Sequence, residues 1–241
     1  MTQPCIVITG ITRRVGAWLA GHYLDKGWKV IGTHRRENHT LRELMARGLI
    51  AVKADLTEPG AGQATAEEIA QHTADVDVLV HNASLWFDDA ACAADASKPL
   101  MMYRIHVQNP LELTEALNQH LPVLPQANGH ASRMVVFLTD AHISRGDPDH
   151  IHYSASKAAV EGAIRSLALK YQPHTRINAI APGLLMFHPH DSDEYRKQRL
   201  AERLLPFEPG PSVVGQTLDY LIDCPLINQA IIKLDSGHHA S

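Results

Sequence analysis

Seven short runs of apolar, mostly β-branched residues recur along this chain, with helically spaced stretches between them. The runs are CIVIT (5–9), KVIGT (29–33), LIAVKA (49–54), DVLVH (77–81), RMVVFLT (133–139), RINAIA (176–181) and AIIKL (230–234). They are apolar almost throughout instead of alternating with polar residues, as strands are when both their faces are covered. Helical spacing falls near 14–26, 39–47, 65–73, 99–120, 151–171 and 212–222. Strand, helix and strand in repeated succession join parallel neighbours through right-handed crossovers. The pattern therefore predicts an α/β fold: one doubly wound, seven-stranded parallel sheet with helices on both faces.

No linker, low-complexity stretch or internal repeat divides residues 1–241, so one domain is expected. With 45% apolar and 20% charged residues, the chain can bury a sizeable core. One segment fits the alternation poorly: LLMFHPHDSDEYRKQRLAERLLPFEPG, 184–210, has proline and acid at both ends of a short amphipathic piece. It suggests a flap over the carboxyl edge of the sheet, where open α/β sheets bind ligands. A net charge of −4 offers no basic field to nucleic acid or an anionic membrane. Cys5, Cys92 and Cys224 lack any CxxC spacing, which argues against a disulfide framework and suits a reducing cytoplasm. The opening MTQPCIVITG has neither the charged nor the apolar region of a secretion signal. No apolar run approaches the roughly 18 residues of a membrane span.

The first run leads directly into TGITRRVG (9–16) and then a helical stretch. Gly10 permits a tight turn and Gly16 lets the helix pack close to the strand, with Thr12 and Val15 in the same turn. The amides and positive dipole end at the helix start form a site for pyrophosphate. It is the position, as the first turn of a strand–helix–strand unit, that points to a dinucleotide. Arg14 stands mid-turn, either as a solvated charge or beside phosphates or a polar ligand. The second run ends in THRREN, where an NAD site would place an acid for the ribose hydroxyls. His34, Arg35 and Arg36 suit a 2′-phosphate instead, so the expected cofactor is NADP(H). Asp55 after the third run, and Asn82, Ala83 and Ser84 after the fourth, lie on the same edge, placed to touch adenine and ribose.

The stretch TDAHISRGDPDHIHYSASK (139–157) holds the chemistry. Tyr153 and Lys157, four apart on a helix, share a face. A phenol with a pKa of about 10 is a poor acid or base at neutral pH. A nearby ammonium lowers that value and lets the phenol exchange protons. The spacing alone is common, but here it follows the fifth strand within YSASKAA, whose small residues allow close approach. Asp140 precedes Tyr153 by thirteen residues, either as a turn cap or as a partner of the phenol.

Together TGITRRVG, HNAS, YSASKAA, INAIAPG and LDSG resemble the successive motifs of the short-chain dehydrogenase/reductase family and span nearly the whole chain. The resemblance implies a Rossmann-type sheet and a nicotinamide cofactor. It also implies a frequent homotetramer, and the long helices expected over 99–120 and 151–171 could build a four-helix interface in a dimer or tetramer. It makes Tyr153 the proton donor, has Lys157 bind the ribose and lower the phenol's pKa, and sets Pro182 and Gly183 beside the nicotinamide. Three positions depart from the family pattern. Asp140 replaces the usual Ser, His106, four residues before Pro110, replaces the usual Asn, and Arg14 replaces the middle Gly. The Arg, the Asp and an aromatic after NAS, Trp86, resemble the pteridine reductase subgroup. A His at 106 is expected in that group, which leaves the relay role of the usual Asn unassigned.

An ionised Asp140 cannot donate to a carbonyl oxygen and would repel a developing alkoxide. A dihydropterin presents a C6=N5 imine and an edge rich in N–H donors. The resemblance therefore implies NADPH-dependent reduction of a small-molecule pterin, with hydride to C6 and a proton to N5. It favours 7,8-dihydromonapterin, with slower reduction of dihydrofolate. Asp140, Tyr153 and Lys157 would orient the proton. Trp86 would stack on the pterin or plug the core. Arg14 would bind the pterin carbonyl or a phosphate, and Leu184 and Tyr195 would approach from the flap. The alternatives are a carbonyl reductase of the same family and a non-catalytic NADPH-binding redox sensor. His142, His150 and His152, with the pairs His188/His190 and His238/His239, lack metal-ligand spacing on a helix; surface histidines and no metal are expected.

Overall fold

The computed structural model describes residues 3–121 and 133–237, so the pair His238/His239 lies outside the described residues. Strands β1 (Cys5–Ile8), β2 (Lys29–His34), β3 (Ile50–Lys53), β4 (Val78–His81), β5 (Arg133–Leu138), β6 (Thr175–Pro182) and β7 (Ile231–Leu234) form one sheet. Their order is β3-β2-β1-β4-β5-β6-β7, all parallel, as the apolar runs predict. Between the first strands run α1 (Arg14–Asp25), α2 (His39–Ala46), α3 (Ala61–His72), α4 (Asp89–Ala94), α5 (Ser97–Tyr103) and α6 (Asn109–His120). Beyond β5 come α7 (Ile151–Tyr171), α8 (Asp193–Ala201) and α9 (Ser212–Asp223).

Alternate strand residues feed two separate cores. Cys5 and Val7 of β1, with Val135 and Phe137 of β5, pack with Ile69, Leu113, Leu117, Val160 and Ile164 from α3, α6 and α7. Ile6 and Ile8, with Met134 and Val136, pack with Leu19, Tyr23, Leu41 and Leu218 from α1, α2 and α9. Each fully buried Leu or Ile stabilises the fold by about 1.5–3 kcal/mol, so a sheet covered on both faces gains from apolar residues at every position.

The helix expected over 99–120 is not continuous. Pro110 has no N–H to return to the His106 carbonyl, and the Asn109 amide reaches back to the Arg104 carbonyl instead. The turn Arg104–Gln108 widens into a single π-turn between α5 and α6, and His106 is carried inside at 4% exposure. Helix α3 starts at Ala61, ahead of the expected 65, and α4 is too short to leave a helical period in the sequence. The strand order reverses between β1 and β4, and ligands of open α/β sheets bind at the carboxyl ends of such a pair.

Candidate active site

A groove of about 430 Å³ opens at that switch point, lined by the 10–15 turn, the end of β2 with Arg35 and Arg36, Asp55 and residues 82–85. Gly10 sits at φ +75°, and a Cβ there would lie 2.9 Å from the Ala83 Cα. A Cβ on Gly16 would lie 2.2 Å from the Gly10 carbonyl oxygen and 2.5 Å from the Asn82 amide nitrogen. Side-chain-free residues are therefore required where β1, α1 and β4 meet. No side chain caps the start of α1, which leaves its first amides open to an anion. Arg14 keeps the left-handed backbone that a glycine would adopt, at φ +52°, which costs a non-glycine residue about 1–2 kcal/mol. Its guanidinium donates to the Met186 carbonyl at 3.0 Å and so ties the turn to 184–210.

His34 is buried in this groove, and its Nδ1 has no hydrogen-bond partner among the described residues. Exposed Arg35 and Arg36 flank it. This donor set fits a phosphorylated ribose, which an acid would repel. Asp55 uses one oxygen to accept from the Thr57 amide (3.0 Å) and hydroxyl (2.6 Å), so it shapes its own turn. Asn82, expected as a ligand contact, commits its side-chain amide to the carbonyls of Thr9 (2.8 Å) and Gly10 (2.9 Å). The Thr9 hydroxyl accepts from the amides of Asn82 and Ala83, both at 3.0 Å. Asn82 therefore joins β1 to β4 through its side chain.

At the first turn of α7 the Tyr153 hydroxyl donates to Asp140 Oδ2 at 2.7 Å. The other Asp140 oxygen accepts from the His142 amide at 2.9 Å, capping a short 3-10 turn over Ala141–Ser144. Both roles weighed for Asp140 hold at once. Lys157 donates to the Leu138 carbonyl at 2.8 Å, with its Nζ 5.9 Å from the centre of the Tyr153 ring. Burial pulls the Lys157 pKa down to about 8, against the opposing pull of Asp140. The phenol's net shift runs upward, opposite to the lowering expected from Lys157. Burial pushes Tyr153 well above its ordinary value, and the charge and hydrogen bond of Asp140 push it further. The phenol keeps its proton at neutral pH.

Trp86 is 60% exposed and stacks on His150 at 4.2 Å between ring centres. It is not a core plug, and His150 is not a bare surface histidine: it is half-buried and also faces Asp147 at 3.0 Å. Asp89 accepts from the amides of Ile151 (2.9 Å) and His152 (3.3 Å), capping α7 from α4. His106 bridges Ser84 and Ser156 and meets the Tyr153 ring edge-on. Sequence reasoning missed these roles of His150, Asp89 and His106. The only trace of them is that His150 directly precedes the helix that carries Tyr153 and Lys157.

Pro182 ends β6, the Gly183 amide donates to the Leu234 carbonyl, and the Leu184 carbonyl accepts from Arg203 at 2.7 Å. Segment 184–210 contains α8, started by Ser192, and is pinned by Gly210 donating to the Leu185 carbonyl (2.8 Å). Its Leu185 and Phe187 are buried, while Leu204, Leu205 and Phe207 are exposed. Tyr195 packs edge-on against Phe187 within the segment. Among the described residues no group of three metal-ligating side chains occurs, and no helix is long and apolar enough to cross a membrane.

Residues 4–196 match the short chain dehydrogenase family. Dihydromonapterin reductase of Escherichia coli (strain K12) is 35% identical over 239 residues, 99% of this chain and 98% of that protein. The crystal structure of FolM alternative dihydrofolate reductase 1 from Brucella suis in complex with NADP is similar at TM-score 0.87 and 25% identity, covering 100% of this chain and 96% of that one. A Pseudomonas aeruginosa RhlG/NADP active-site complex, at TM-score 0.86 and 22% identity over 99% of this chain and 97% of its own, shares the fold. A match of this extent means that the chain belongs to the short chain dehydrogenase family.

Proposed function

We propose that this protein is an NADPH-dependent dihydropterin reductase that converts 7,8-dihydromonapterin to its tetrahydro form and reduces dihydrofolate more slowly. The observation that carries this is the 2.7 Å bond from Tyr153 to Asp140. With the phenol's hydrogen on a carboxylate, a negative charge stands where a carbonyl reductase needs a donor to its developing alkoxide. A pterin's aminopyrimidinone edge brings N–H groups that an acceptor-only carboxylate can receive. Full-length likeness to a dihydromonapterin reductase and to a FolM alternative dihydrofolate reductase supports the same class.

When bound, NADPH supplies the hydride that reduces C6 of the imine. The open amides of α1, with Arg14, would hold the pyrophosphate, and His34, Arg35 and Arg36 would hold the 2′-phosphate. Lys157 would bind the nicotinamide ribose, with Pro182 and Gly183 beside the nicotinamide. Trp86 offers its exposed face to the flat pterin, with Leu184 at the other rim. As N5 gains electron density, Tyr153 gives it the proton that burial has kept on the phenol, and the Lys157 ammonium offsets the charge left on oxygen. Asp140 holds the phenol in line for that transfer. Segment 184–210 closes over the pterin and excludes water, with Arg14 as its anchor.

Initial rates of NADPH oxidation with dihydromonapterin, dihydrobiopterin, dihydrofolate and a small ketone test the proposal. The highest kcat/KM is expected on dihydromonapterin and none on the ketone. Equal rates on the three pterins would remove the narrow substrate but keep the class. Turnover of the ketone alone would remove both.

A further inference from the structure

The bonds of His106 each have a fixed direction. The Leu85 amide points at Nε2 at 3.3 Å, and an amide can only donate, so Nε2 presents its lone pair. A neutral ring then carries its hydrogen on Nδ1. Nδ1 donates to the Ser156 hydroxyl at 2.8 Å, and Ser156 passes its own hydrogen to the Tyr153 carbonyl at 2.7 Å. The single hydrogen of Ser84 goes to Nε2 at 2.8 Å in preference to the Leu85 carbonyl at 3.4 Å. A second ring proton would set N–H against N–H at Leu85. Burial first, and the nearby Lys157 second, hold the ring neutral.

We propose that His106 is a positioning residue: as the Nδ1–H imidazole it latches the exit of β4 at Ser84–Leu85, and through it Trp86, to the turn of α7 that carries Tyr153. It carries no proton in the reaction. The same loop meets α7 at two further points, Trp86 on His150 and Asp89 at Ile151 and His152. His106 is the deepest of the three contacts, so it sets the distance between the aromatic platform and the phenol. The inference rests on the pterin proposal in taking Trp86 as the surface on which substrate stacks.

Two variants separate a latch from a proton carrier. Asn reaches only as far as Nδ1, whereas the Gln side chain extends an acceptor oxygen to the position of Nε2. His106→Asn, which loses the bonds to Ser84 and Leu85, should raise the dihydropterin KM about tenfold and leave kcat within about twofold. His106→Gln should restore KM to within about threefold, and neither variant should move the pH profile. A large fall in kcat with a shifted profile in both variants would mean that His106 carries a proton, and the proposal fails. The ring can also be observed without substrate. Nitrogen-15 NMR of the wild-type protein, with and without NADPH, should show a protonated Nδ1 and a bare Nε2. The signals are assigned by their loss in His106→Gln, and they should not titrate between about pH 6 and 8. A protonated Nε2, or titration in that range, overturns the latch. The expected ring pattern with no turnover of any pterin supports the latch and removes the pterin proposal alone.

Discussion

Replacing Asp140 by Asn removes a charge and one acceptor while keeping the shape. The carboxylate receives two hydrogens, one from the Tyr153 hydroxyl and one from the His142 amide. An amide has one acceptor oxygen, so in Asp140→Asn either the phenol or the turn faces an NH₂ group. A hydrogen bond to a charged group contributes about 1.5–3 kcal/mol. At about 1.4 kcal/mol per decade, losing it from the oriented phenol predicts a fall of about ten- to a hundredfold in kcat/KM for the dihydropterin. The charge acts as well. Asp140 holds the Lys157 pKa up against burial and pushes the Tyr153 pKa higher. Without it both fall, Lys157 to below about 8. The ammonium is then lost earlier as pH rises, so the alkaline limb of the pH–rate profile moves to lower pH. Initial rates of NADPH oxidation across about pH 6–9 measure both effects. An unchanged kcat/KM with an unmoved alkaline limb would refute the reasoning.

Arg14→Gly relieves the positive-φ backbone but frees the unfolded chain, so unfolding free energy should change by less than about 1 kcal/mol. Its dihydropterin kcat/KM should fall at least about tenfold, because the tether to Met186 is lost; unchanged rates would contradict the anchor role. Asp89→Ala leaves two α7 amides uncapped and should lower the melting temperature by a few degrees, and an unmoved melting curve would exclude the cap. Arg35→Asp combined with Arg36→Asp should shift the kcat/KM preference from NADPH towards NADH, and an unaltered ratio would remove these residues from 2′-phosphate recognition.

The strands were legible because burial on both faces leaves an unbroken apolar run at each of them. The turn after β1 is legible because Gly10 and Gly16 stand where any Cβ collides with backbone. The π-turn was hidden, since the residue that forces it, Pro110, lies outside the turn it distorts. The direction of the Asn82 side chain depends on two carbonyls of β1, and four-residue spacing says nothing of burial. The upward shift of Tyr153 comes from burial first and Asp140 second, and neither is visible in the Tyr153–Lys157 spacing. Trp86 met its partner His150, and α7 its cap Asp89, across the fold, where no local pattern links them.

The proposed function requires that the carboxylate at 140 steer the Tyr153 phenol from ketones to a cyclic imine. The ratio of kcat/KM on dihydromonapterin to kcat/KM on a small ketone, in the wild type and in Asp140→Ser, tests it most directly. Ser at this position should lower the pterin rate and admit the ketone, so the ratio should fall by about a hundredfold or more. A ratio that stays the same or rises would contradict it.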